Sequence, residues 1–105
     1  MSDHPIHPRL KFDESALRVI CQRWGITELA LFGSAVRPDF SDQSDVDVMV
    51  TFAPDSRRSL WDLVELQADL AALFGRPVDV VQRGVIANPF RRRSIERDLR
   101  VVYAA

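Results

Sequence analysis

Leu31–Val50, LFGSAVRPDFSDQSDVDVMV, decides how the rest of the chain is read. An apolar run ends in the turn Gly33-Ser34. After a polar connection, Asp45 and Asp47 flank a valine at the head of a second apolar run. Side chains of a strand alternate between faces, so in DVDVMVTF the residues Val46, Val48, Val50 and Phe52 take one face and leave Asp45 and Asp47 together on the other. Their Cα atoms are then about 6.5 to 7 Å apart, a span that side chains can close onto metal ions about 3.5 to 4 Å apart. Two carboxylates about 6 Å apart at an effective dielectric near 20 repel by roughly 2 to 3 kcal/mol. Such a pair beside an apolar strand calls for a cation, and a hard, oxygen-seeking ion such as Mg²⁺ suits it. The plainer alternative is two solvated carboxylates at a strand end.

The turn before the aspartates adds a second feature. Gly33 permits positive φ or close backbone approach to a ligand, and Ser34 offers a hydroxyl and an amide where a helical turn can begin, an arrangement that receives phosphate oxygens. Arg37, three residues past Ser34, projects to the same side of such a turn and can neutralise phosphate charge. Pro38 biases Arg37 out of helical geometry and ends the turn. A third acidic residue, Asp79, lies in VDVVQ, where Val78 and Val80 share one face and Asp79 and Val81 the other. An aspartate among valines is unfavourable to bury without a partner, so Asp79 sits beside a cation or at an exposed strand end.

GSAVR followed by SDVDVMV, with the further aspartate in PVDVV, resembles the minimal nucleotidyltransferase family, the smallest members of the DNA polymerase β-like nucleotidyltransferase superfamily. The likeness runs from about Ile26 to the C-terminus. It implies an α/β (α+β) fold, a small mixed β-sheet with helices packed on it. It also implies that Gly33 and Ser34 hold the phosphates of a nucleotide and that Asp45, Asp47 and Asp79 bind Mg²⁺ and carry catalysis; Arg37 is placed to assist at the phosphates. One departure is Pro38, where the family commonly has glycine after the arginine, which bears on the reach of Arg37. Such proteins commonly occur as antitoxins of type VII-like pairs with a HEPN-domain toxin, which they neutralise by moving AMP from ATP to a tyrosine of the toxin. The resemblance therefore implies an Mg²⁺-dependent protein adenylyltransferase. Two other functions are compatible with the same residues: an antitoxin with a vestigial nucleotide site that acts by binding alone, and a transferase of nucleotides to small molecules.

The 105 residues, 47% of them hydrophobic, fit one domain with one core. We expect residues 1–12 to be an N-terminal tail and 13–105 a single domain, with the acceptor arriving on another molecule. A formal net charge of -1 gives no overall bias towards nucleic acid or anionic membrane. The single cysteine, Cys21, excludes an internal disulfide and fits a reducing compartment. With no signal-peptide pattern and no apolar stretch near the roughly 20 residues needed to span a bilayer, the expected location is the cytoplasm. Oligomeric state is left open, with itself or with the partner.

The remaining elements follow from periodicity and punctuation. From Asp13, a capping residue, Leu17, Ile20, Cys21 and Trp24 form a helical stripe that Gly25 closes. Ile26 to Phe32 reads as a strand, and the short connection to the DVDV strand favours antiparallel neighbours. Ser59 caps the longest helix, with Asp62 complementing its first turn; Leu60, Leu63, Val64, Leu70, Ala71 and Phe74 follow its apolar stripe, and Leu66 and Leu73 widen it. Gly75 and Pro77 end that helix before VDVVQ. PFRRRSIERDL reads as a short solvated helix and RVVYA as a fourth strand or edge. His4 and His7, around a proline and without a third ligand, read as tail residues.

Overall fold

In a computed structural model the residues described are 10–33, 44–54, 58–83 and 99–105. Helix α1 (Glu14–Trp24) leads into strand β1 (Ile26–Phe32), strand β2 (Val46–Phe52), helix α2 (Leu60–Phe74), strand β3 (Val78–Gln82) and strand β4 (Arg100–Ala104). Both helices begin and end where their punctuation places them. Asp13 accepts from the N–H groups of Ser15 and Ala16, and Gly25 closes α1 in the left-handed region. Ser59 and Asp62 exchange side chain to backbone bonds in a capping box, and Gly75 closes α2 at φ 70°.

The four strands form one sheet in the order β3-β2-β1-β4. β1 pairs antiparallel with β2 and with β4, whereas β2 and β3 run parallel with α2 as the crossover that parallel neighbours require. The end of β1 and the starts of β2 and β3 therefore meet at one end of the sheet. RVVYA is a strand, added beside β1. The segment 84–98, which includes most of the expected short helix, lies outside the described residues, as do His4 and His7.

Strand alternation divides the sheet. Leu29, Leu31, Val46, Val48, Val50 and Val78 meet Leu17, Cys21 and Trp24 of α1 and Leu66, Leu70 and Phe74 of α2 in the main core. Each fully buried leucine or valine there contributes about 1.5 to 3 kcal/mol relative to exposure. On the opposite face Phe32 and Met49 form a smaller cluster with Val81 and Leu99 against it. Leu10, ahead of α1, is buried in the main core, and Phe12 meets Phe74 edge to face at 5.1 Å.

One expected packing assignment is corrected. Leu60 and Val64 do not face the core: they are 75% and 53% exposed, as is Trp61 at 78%. The seam of α2 follows the Leu66, Leu70, Phe74 row, and Val64 lies about 120° around the helix from Leu70 at about 100° per residue. An apolar band this wide leaves the angle of the seam to the sheet rather than to the helix.

Candidate functional site

The site is assembled at the end of the sheet where β1 stops and β2 and β3 begin. Asp47 is in register with Phe32 on one side and with Asp79 on the other. Paired residues of adjacent strands point to the same side at about 4.8 Å spacing, so Asp47 and Asp79 stand next to each other on the face away from the helices. Asp47 is half-buried and Asp79 exposed. The two aspartates in register thus come from different strands. Asp45 sits just before β2 and is exposed.

Gly33 closes the third side. It follows β1 with φ 70°, a left-handed conformation that favours glycine. A Cβ at this position would overlap the Asp47 carboxylate oxygen Oδ2 and lie 3.3 Å from Cγ. Sequence reasoning gave Gly33 to a phosphate; its clearance for Asp47 depends on the β1–β2 register and carried no local signal. Ser34 and Arg37 lie outside the described residues, as does Pro38.

Among the described residues, no three histidine, cysteine or acidic side chains group into a metal cage. Among the described residues the sheet brings Asp47 and Asp79 into register, with Asp45 nearby in sequence. Paired carboxylates are the hard oxygen donors that Mg²⁺ takes when waters and substrate phosphates complete its octahedron, so the donor set fits that ion. Cys21 is fully buried behind the sheet, and burial pushes its thiol up to about 12. A thiol held neutral in this way is no nucleophile.

A glycine turn thus stands against an aspartate pair at one end of a mixed sheet, and the family model for the nucleotidyltransferase domain matches residues 14–102. The chain belongs to that family, and is a nucleotidyltransferase. A Methanocaldococcus jannaschii protein provisionally named a protein adenylyltransferase is 33% identical over 82 residues, 78% of this chain and 82% of that protein. The protein adenylyltransferase MntA of Thermococcus cleftensis is 40% identical over 67 residues, covering 64% of this chain and 66% of its own.

Solved structures agree on the fold. A chain provisionally described as a minimal nucleotidyltransferase superposes with a TM-score of 0.66 at 31% identity, covering 83% of this chain and 86% of that one. A toxin-antitoxin crystal structure with AMP-PNP contains a chain with a TM-score of 0.69 at 20% identity, covering 89% and 74%. The tri-AMPylated Shewanella oneidensis HEPN toxin in complex with MNT antitoxin contains another, with a TM-score of 0.61 at 18% identity, covering 88% and 70%.

Proposed function

We propose that this nucleotidyltransferase is the antitoxin of a type VII-like HEPN/MNT pair. It neutralises its partner by transferring AMP from ATP to a tyrosine of the cognate HEPN toxin in the cytoplasm, with residues 13–105 as the transferring domain. The observation that carries the proposal is the register pairing of Asp47 with Asp79 beside Gly33. Relatives named protein adenylyltransferases support transfer to a protein, and related complexes with a HEPN toxin and with an ATP analogue support partner and donor.

In this proposal Asp45, Asp47 and Asp79 hold Mg²⁺, which when bound supplies charge neutralisation at the triphosphate and at the departing pyrophosphate. Gly33 and Ser34 present backbone amides to the phosphates, and Arg37 adds positive charge on that side. Asp79, exposed at the edge of the pair, faces the acceptor and eases loss of its hydroxyl proton. The tyrosine oxygen attacks the α-phosphorus, the bond to the bridging oxygen breaks, pyrophosphate leaves, and the proton passes to solvent. No cysteine or histidine of the described residues is needed, because the chemistry depends on positioning and charge rather than on a protein nucleophile.

The test is incubation of the chain with ATP labelled at the α-phosphate, Mg²⁺ and the protein of the neighbouring gene. Label on a partner tyrosine supports the proposal. Label on small molecules alone would favour the small-molecule transferase, and a stable complex without label would favour neutralisation by binding.

A further inference from the structure

The link between α2 and β3 carries a cation with no role in the site so far. Arg76 stands between Gly75, whose φ of 70° ends α2, and Pro77, which prevents its resumption. The N–H groups of Gly75 and Arg76 both turn back onto the carbonyl of Ala71, at 2.8 and 3.3 Å, so the backbone here is held in place. From this anchor the half-buried Arg76 side chain reaches across the chain, and Nη1 donates to the backbone carbonyl of Ser44 at 3.3 Å. On the far side of Asp45, the Val46 N–H donates to the carbonyl of Pro77 at 3.0 Å. These two bonds bracket Asp45 and tie the start of β2 to the start of β3. The next rungs are Val46 with Val78 and Asp47 with Asp79.

We infer that Arg76 is a positioning residue for nucleotidyl transfer: through the Ser44 carbonyl it sets where Asp45 enters the site and holds the register in which Asp47 faces Asp79. The inference rests on the assignment of those aspartates under Proposed function. The physical need is specific to this end of the sheet. A ladder ends here, where strands fray, and its last rungs carry the site, with Asp47 in register with Asp79. A slip of one residue would turn Asp47 towards the helices and expose Val46 and Val48. Arg76 opposes that slip from outside the ladder. A planar guanidinium with several donors can bond a carbonyl and keep its charge when half-buried, which a flexible ammonium does less well.

The experiment compares wild type, Arg76→Ala, Arg76→Lys and Asp47→Asn, each as the full chain with ATP, Mg²⁺ and the cognate partner. Arg76→Ala is expected to lower kcat about tenfold or more with the KM for ATP changed less than about threefold, because misplacement of the site acts on the transition state. Lysine, which can still reach a carbonyl, recovers part of the loss. In the protein without metal or nucleotide, amide exchange at Val46 accelerates about tenfold or more in Arg76→Ala while Leu29 and Leu31, in the sheet interior, hold their protection. Should the alanine variant fail to fold, Arg76→Gln, with a shorter neutral donor, is read in the same way. Wild-type kcat and wild-type Val46 exchange, with transfer abolished by Asp47→Asn, would overturn the role of Arg76 and leave the site standing. Transfer that survives Asp47→Asn would overturn the site assignment itself.

Discussion

Gly33 and Asp47 share a corner of the sheet so closely that a side chain on one would displace the other: a Cβ at Gly33 would overlap Asp47 Oδ2 and sit 3.3 Å from Cγ. The glycine is therefore a condition for the carboxylate's position. Gly75 provides the contrast. It has the same φ of 70°, yet a Cβ there would meet nothing within 4 Å.

Gly33→Ala and Gly75→Ala should consequently differ in kind. Both carry the left-handed strain of about 1 to 2 kcal/mol, and both should lower the melting temperature. Only Gly33→Ala also moves Asp47, and it should reduce transfer about a hundredfold, within the range that small misplacements cause. Thermal melts beside initial rates per folded molecule separate the two effects. Equal rates in the two variants would show that the Gly33 clearance has no bearing on the chemistry.

The register of Asp47 with Asp79 predicts a metal-dependent stability. Asp47→Asn and Asp79→Asn each remove a carboxylate that the proposal gives to Mg²⁺, so transfer should fall at least about a hundredfold. Mg²⁺ should raise the melting temperature of the wild type, chelation with EDTA should reverse that, and the Asp47→Asn, Asp79→Asn double variant should not respond. A metal-induced shift of wild-type size in the double variant would remove the pair from the site.

Cys21 gives a pH dependence remote from the site. Its thiol is raised from 9.0 to about 12 by burial. The unfolded chain therefore releases this proton at lower pH than the folded one. The contribution of Cys21 is fully present below about pH 9 and is lost as pH rises towards about 12, at up to about 1.4 kcal/mol per pH unit. Denaturant melts from pH 8 to 11 should show a decline in the wild type that is shallower in Cys21→Ala. Below pH 9 a thiol reagent should modify Cys21 only on unfolding. Rapid modification of the native protein would contradict its burial.

Much of this fold could be read from local chemistry. Asp13, Ser59 with Asp62, Gly25 and Gly75 mark helix ends because each satisfies backbone groups within a few residues, and the short β1–β2 connection implied antiparallel neighbours. The faces of β2 and β3 followed from alternation, so Asp79 was assigned to the side away from Val78. Relationships set across the chain were not legible from local pattern. That Asp79 joins Asp47 in one site came only from the family resemblance, and their pairing depends on the register of parallel strands joined through a helix. The bond from Arg76 to Ser44 and that from Trp24 Nε1 to Asp69 at 2.9 Å link residues distant in sequence. Leu60 and Val64 were placed inward because an apolar band cannot tell which of its edges meets the sheet.

The capping box offers a control remote from the aspartates. Ser59→Ala removes the bond to the Asp62 N–H and should cost about 1 kcal/mol of stability. Transfer per folded molecule should stay at the wild-type level. A matching loss of activity would mean that α2 tunes the site as a whole and would weaken any residue-specific role drawn from substitutions along it.

The most direct measurement is the intact mass of the partner protein co-expressed with this chain, supplied with ATP and Mg²⁺, for the wild type and for Asp47→Ala, Asp79→Ala. A gain in whole AMP units with the wild type alone is the predicted result, and it would also count the additions. An unmodified partner that is still bound and neutralised by the wild type, or equal modification by both proteins, would contradict nucleotidyl transfer at the aspartate pair.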